Sequence, residues 1–507
     1  MTSRFAVRSL PIVLHPLAVP VAAIIHWWSS TALPPALLVR PIVIVILVGL
    51  ATTAIATLIV RDRNLAGIAA WSILTGLIVY DIRAFALLWV VAAVVIAIGI
   101  SQRNVGWPRG PAVTRFLSIL AAILLIASVI DSVQSGAVGY ALDDIRRDLA
   151  AKGPAEAFTP GAPDIYVFLL DGYPGRVADM TEPTFDSAAI NAALRARGFD
   201  VARDARSNYV TTRLTVPAVF EAAHLPDAPS LRQPGTRQQD AHVLREATES
   251  GVVLSSLGAA GYERIAVASG YGEIGPLRVD RLIVPPQVGE FEASLLRSTM
   301  VGTIVDFLAP DAAASEKRER IETTFEDAAQ VANEPHDRPR FVFVHVPGPH
   351  GPWVMDAAGN AFPGTSSLFA SFADPIKDPE LRRHRFFEFS TYIANRTLAT
   401  VDRILAASAR PPVIVLFSDH GPDISFDTHD PLSSDLDQRT SNLIALLAPG
   451  RADLLPDDAT VVNIFPIVLN AYLGTDLAIQ PNRFWAWRTG SSILDYVELD
   501  PRTWKAK

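Results

Sequence analysis

The sequence predicts about five membrane-spanning helices over residues 1–132, then a juxtamembrane helix and linker over 133–163. An extracytoplasmic α/β domain with a mostly parallel central sheet should follow over 164–507. Three observations predict this. The first 132 of the 507 residues carry nine Arg, no Lys and only Asp62, Asp81 and Asp131, a balance of +6, whereas the remainder stands at −14. Half of all residues are hydrophobic, and the N-terminal part holds them in long uncharged stretches. Beyond residue 163, short apolar runs alternate with helical periodicity, the rhythm of βαβ units.

The uncharged stretches run 9–39, 41–60, 64–80, 84–102 and 116–130. A spanning helix takes about 20 mainly apolar residues, or about 17 at the short limit. Four stretches meet that limit, and the fifth meets it with Asp131 at the interface. Pro11, Pro16, Pro20, Pro34 and Pro35 should leave the first helix short and kinked. One cleavable signal peptide does not account for five such segments. With the N-terminus inside, the inner loops hold Arg4, Arg8, Arg61, Arg63, Arg103, Arg109 and Arg115, against Arg40 and Arg83 outside. That asymmetry follows the positive-inside tendency and sends everything after residue 132 out of the cytoplasm. The expected location is therefore the cell membrane, multi-pass, with a periplasmic or extracellular C-terminal domain.

Composition excludes several chemistries. There is no cysteine, hence no disulfide, thiol nucleophile or Cys-ligated metal. The soluble part is acidic, so it offers no basic surface for nucleic acid. The spans lack paired intramembrane acids or Arg residues of the kind that mark a transport path.

In the soluble part the apolar runs are "DIYVFLL" (164–170), "RIAVAS" (264–269), "RFVFVHV" (340–346), "PPVIVLF" (411–417) and "NLIALLAP" (442–449). Unbroken runs suit strands covered on both faces. Phe389, Ile393, Thr397, Val401 and Ile404 recur at helical spacing before the fourth run. In open α/β sheets, ligands gather beyond the carboxyl ends of the strands. Here the first run ends in Asp171, the third in His345 with His350 close behind, and the fourth in Asp419 and His420. Carboxylate oxygen with imidazole nitrogen is a ligand set for zinc or manganese. "SNYVTTRLTVPAVF" (207–220) clusters Thr211, Thr212 and Thr215, which reads either as a Thr-capped helix start or as a source of a metal-activated hydroxyl.

Together these segments resemble the alkaline phosphatase/sulfatase superfamily in its membrane-anchored bacterial branch, which includes lipoteichoic acid synthases and lipid A phosphoethanolamine transferases. The resemblance covers about residues 164–475, with the motifs in the family's order. It implies a sulfatase-like domain, and from "FLLDGYPGR" and "SDHG" it implies metal ligation by Asp171, Asp419 and His420. From "TRLTVP" it implies that Thr212 is both nucleophile and ligand, with Thr215 at the following Ser position. "HVPGPHGPW" implies a substrate-side, catalytic role for His350, with His345 as a further candidate. His429 is a candidate for another substrate-side His, at a spacing that departs from the transferases. The transferases carry Glu where this chain has Asp171, and the sulfatase nucleophile and Arg are both missing. No second metal set is visible, so one divalent ion is expected.

The function implied is a metal-dependent phospho-group transferase of phosphoglycerol- or phosphoethanolamine-transferase type. It would act on lipid or glycopolymer head groups beside membrane lipids, through a covalent phospho-threonine. Two alternatives stand beside it. One is a hydrolase of phosphate or sulfate esters, and the other is a non-catalytic transporter subunit or sensor.

Overall fold

The computed structural model describes residues 15–29, 31, 33, 35–78, 82–101, 109–139, 161–175, 185–228, 231, 235, 237–270, 274–362 and 376–507. Arg4, Arg8, Arg103, Asp81 and most of the 133–163 linker lie outside them. The chain divides into two compact units: Met1–Ile145 with Glu292–Leu308, and Arg146–Phe291 with Ala309–Lys507.

The first unit contains helices α1 (His15–Ser29), α2 (Val39–Val60), α3 (Arg63–Ile78), α4 (Ile82–Ser101) and α5 (Gly110–Gln134). They match the five uncharged stretches in order. By length and apolarity α2 and α5 are long enough to cross a membrane, and α4 offers the shorter apolar run Phe85–Ser101. Pro20 lies inside α1, which spans only 15 residues. Helix α3 sits in the middle, packed by α1, α2 and α4. Its Ala66, Gly67, Ala69 and Ala70 are all buried, and such small residues let neighbouring helices approach closely. His26 Nδ1 lies 3.0 Å from an Asp131 carboxylate oxygen and Ser29 donates to the same oxygen at 2.8 Å, tying the C-terminal ends of α1 and α5 together.

The second unit opens with β1 (Ile165–Leu170), followed by α6 (Ser187–Ala196), β2 (Asp200–Val201), α7 (Thr212–Glu221), α8 (Arg237–Glu249) and α9 (Val252–Ala259). Then come β3 (Glu263–Val267) and β4 (Arg281–Ile283). Helices α10 (Glu290–Arg297) and α11 (Met300–Leu308) fall almost wholly in the first unit. The chain continues with α12 (Ala312–Asn333), β5 (Arg340–Val346), α13 (Pro379–Ala407), β6 (Val413–Phe417), α14 (Leu436–Thr440), β7 (Ile444–Leu447) and α15 (Ile464–Leu473). It ends with β8 (Phe484–Trp487), β9 (Tyr496–Asp500) and β10 (Lys505–Ala506), a small separate sheet.

The main sheet has the order β2-β7-β6-β1-β5-β3-β4. Strands β6, β1, β5, β3 and β4 are mutually parallel, whereas β7 runs antiparallel to both of its neighbours. All five expected strands are present, within a few residues of the expected bounds. Alternate residues of β1 feed two cores. Tyr166, Phe168 and Leu170 pack with Phe325 of α12 and Phe389, Ile393 and Val401 of α13. Ile165, Val167 and Leu169 pack with Val219 and Phe220 of α7, Leu254 of α9 and Phe465 of α15. Both faces are covered by helices, which is why these strands read as unbroken apolar runs.

Candidate active site

The sheet order explains how distant residues meet. Strand β1 lies between β5 and β6, with Leu170 opposite Val346 and Leu169 opposite Phe417. All three strands run the same way, so one step past those pairs the chain delivers Asp171, the 347–350 turn and Asp419–His420 to a single edge. Gly421 lets the backbone after His420 pass close to the 438–441 backbone. A Cβ there would sit 2.2 Å from the Gln438 carbonyl oxygen, against rigid backbone.

Asp171, Asp419 and His420 are buried, and one ligand atom from each lies within 4.8 Å of the others. His420 Nδ1 is 2.9 Å from the Gly421 carbonyl oxygen. A carbonyl only accepts, so Nδ1 is the donor there, and Nε2 is the nitrogen that faces the carboxylates. Nε2 stands 3.2 Å from Asp419 Oδ2 and 3.6 Å from Asp171 Oδ1. Both of those oxygens are buried and accept no hydrogen bond. Two buried carboxylate oxygens converge with an imidazole nitrogen on one point, and burying two carboxylates side by side is costly unless a cation sits among them. The residues fit one divalent metal ion.

Electrostatics agree. Burial pushes the Asp419 carboxyl upward, and the neighbouring Asp171 adds to that. Asp171 is buried too, which alone would raise it, but His350, His345 and His420 together hold it well below the usual carboxylate range.

Thr212 is the first residue of α7, and its Oγ1 lies 3.3 Å from His420 Nε2. Unpaired backbone N–H groups and the helix dipole favour an anion at this end. Thr211 is the N-cap residue, in extended conformation and without a side-chain capping bond. Thr215 is fully buried, with its hydroxyl on the carbonyls of Thr211 and Asp419 at 3.1 and 2.9 Å. It braces the ligands from behind.

His345 is buried in β5 with Nδ1 2.7 Å from Ser269 Oγ and Nε2 3.2 Å from Asp171 Oδ2, so it orients that carboxylate. His350 is half-buried, and its ring centroid lies 6.3 Å from that of His420. Its Nδ1 is 2.9 Å from the Gly351 carbonyl, and Nε2 is 3.4 Å from Asp423 Oδ2. Burial opposes charge on this ring, but Asp423 and Asp171 outweigh it and raise the pKa. His429 takes no part in the cluster. Its side chain is 96% exposed on a surface loop, 3.6 Å from Asp427.

Two residues were not singled out in the sequence. Lys317 of α12 is buried and donates from Nζ to the His350 carbonyl at 2.6 Å. Burial lowers its pKa to about 7 against the pull of Asp171 and Asp423. Asp423 pairs with Arg439, whose Nε also donates to the Val210 carbonyl at 2.8 Å. Lys317 was legible in principle: counting back by fours from the apolar Phe325 through Ile321 reaches it on the inward face of α12.

No family model and no curated protein matches the chain. Among solved structures it is similar to the integral membrane protein lipooligosaccharide phosphoethanolamine transferase A of Neisseria meningitidis. The TM-score is 0.38 at 13% identity, covering 89% of this chain and 95% of that one. It is also similar to the C-terminal periplasmic domain of EcEptC from Escherichia coli in complex with zinc, with TM-score 0.42, 12% identity, and 68% and 97% covered. A third likeness is to a phosphonate monoester hydrolase of Agrobacterium radiobacter, with TM-score 0.41, 12% identity, and 62% and 74% covered.

Proposed function

We propose that the chain is a membrane-anchored, metal-dependent phospho-group transferase acting outside the cytoplasm. It moves a phosphoglycerol- or phosphoethanolamine-like group between lipid or glycopolymer head groups through a covalent phospho-threonine. The observation that carries this reading is the placement of Thr212 Oγ1. It sits at a helix N-terminus, 3.3 Å from His420 Nε2, with its hydroxyl also reaching the Asp419 carboxylate.

Asp171, Asp419, His420 and Thr212 would hold one divalent ion, zinc or manganese. That ion would lower the pKa of the Thr212 hydroxyl and offset charge on the phosphoryl oxygens. The chain's own residues do the rest. Thr212 Oγ1, as alkoxide, attacks phosphorus, forming the Oγ1–P bond as the bond to the leaving oxygen breaks. His350, charged through Asp423 and Asp171, gives the leaving oxygen a proton from Nε2. Lys317 adds positive charge at the same edge. An acceptor alcohol then attacks phosphorus, returns a proton to His350 and releases Thr212. With water as acceptor the same cycle is a hydrolysis. The apolar helical unit favours a lipid-borne partner, because one span would suffice as an anchor.

Mass spectrometry of protein trapped with a phosphodiester lipid tests this. The expected result is an adduct on the peptide carrying Thr212, absent in Thr212→Ala. A modified Thr211 or Thr215, or an active Thr212→Ala enzyme, would show the assignment to be wrong.

A further inference from the structure

Helices α10 and α11 lie between β4 and α12 in the chain, yet they group with the helical unit. Both are amphipathic. Phe291, Met300 and Gly302 are buried, and α11 packs against α3. The pair crosses closely because position 302 is glycine: a Cβ there would lie 2.4 Å from the Leu296 carbonyl oxygen. Glu292 of α10 pairs with Arg40, the second residue of α2. This hairpin is therefore held at the end of the bundle where α2 begins.

The C-terminal end of α11 is exposed and apolar. Phe307 is 85% exposed and Leu308 73%, among the highest values for large apolar side chains in the described residues. The flank of the same unit has the same character, with Leu47, Leu58, Phe116 and Ile123 all exposed. Exposed apolar side chains on helices long enough to span suit lipid, and Phe307 and Leu308 share that character. The charges of the hairpin are Glu290, Glu292 and Asp306 against Arg297. That balance is acidic, so attraction to anionic head groups cannot drive attachment, and apolar insertion must.

We infer that α11 is a membrane-surface anchor, with Phe307 and Leu308 inserted at the boundary between head groups and acyl chains of a phospholipid bilayer. The inference rests on the membrane reading of the helical unit and is independent of the chemistry at Thr212. It gives the chain a second attachment outside α1–α5, immediately before the helix that carries Lys317.

Because the chain has no cysteine, single-cysteine probes need no background removal. Full-length Phe307→Cys, labelled with an environment-sensitive fluorophore, is placed in phosphatidylcholine nanodiscs carrying lipids spin-labelled at shallow or deep positions. Ile123→Cys serves as the bilayer-core control and Ser491→Cys, on an exposed turn, as the aqueous one. The probe at 307 should lose emission to the shallow label more than to the deep one, reporting a depth of about 5–10 Å, and added salt should not restore it. Quenching at 123 with a 307 signal like that of 491 would overturn the anchor and leave the membrane reading standing. A blue-shifted probe at 307 that neither label quenches would mean a protein covers this end of α11, which overturns the anchor as well. Absence of quenching at both 123 and 307 would remove the membrane reading itself.

Discussion

The Thr215 hydroxyl donates to the backbone carbonyl of Asp419 at 2.9 Å, so the helix that begins at Thr212 and the strand end that bears the paired ligands form one hydrogen-bonded piece. Ser207 Oγ donates to the same carbonyl. Removing the Thr215 hydroxyl should therefore loosen the ligand set without exposing it. Thr215→Val is expected to cost about 1 kcal/mol of stability and to weaken metal binding, while Thr215→Ser stays near wild type. Thermal midpoints and zinc titration of the three proteins check this. Equal affinity in Thr215→Val would mean that Ser207 alone suffices.

Metal content tests the acceptor cluster directly. Wild-type protein should hold about one divalent ion per chain, the count one such ligand set supports, and Asp419→Ala with His420→Ala should hold none. Chelation should lower the melting temperature, because a ligand bound only by the folded state stabilises it. Asp171→Asn removes one of the two buried carboxylates, and it should bind the ion more weakly without abolishing the fold. Elemental analysis after gel filtration reads all three outcomes.

Lys317→Met keeps the bulk of the side chain and deletes the charge. If the ammonium stabilises phosphoryl oxygens, turnover should fall by about 10²–10³, the size seen when one oxyanion partner is lost, with metal content unchanged. A fall in metal content alongside turnover would instead make Lys317 a prop for the His350 turn, whose carbonyl it holds at 2.6 Å.

The edge of the sheet gives a pH-dependent test. Burial alone would raise the Asp280 carboxyl, but Arg264 donates to it from the backbone N and the guanidinium at 2.8–3.1 Å and lowers its pKa below 3.8. A depressed folded pKa contributes stability that is present above the unfolded value and lost as pH falls through the folded one. Asp280→Asn should thus melt lower than wild type at neutral pH, and the gap should close in acid. A gap that persists at pH 2 would tie it to packing.

Sequence made the candidate edge legible because β1, β5 and β6 are covered on both faces and each leads within a few residues to a carboxylate or an imidazole. Direction is less visible: the run at 442–449 is as apolar as the others, yet β7 is antiparallel, since an apolar run carries no sign of chain polarity. Lys317 stands in the charge run 316–320, where Arg320 is buried as well, so only its spacing by fours from Ile321 and Phe325 marks it. His429 shows the converse, a histidine at suggestive spacing that the backbone leaves on a polar surface loop. The 290–308 hairpin has no signal of its partner at all, because its contacts lie more than 200 residues away in the chain.

Contacts within the helical unit fix which helix ends lie together. The contact of His26 and Ser29 with Asp131 puts the C-terminal ends of α1 and α5 at one end of the bundle. Arg40 at the start of α2, close in sequence to the end of α1, pairs with Glu292. Glu292 therefore lies at the end where α1 finishes. Helices alternating in direction put Arg61 and Arg63, between α2 and α3, at the opposite end. The positive-inside tendency predicts that this end is cytoplasmic. A phosphatase reporter that works only outside the cytoplasm should therefore be active when fused after Lys507 and inactive when fused after Asp62. The reverse pattern in two stably expressed fusions would invert the topology, and activity at both positions would mean that α2 does not span.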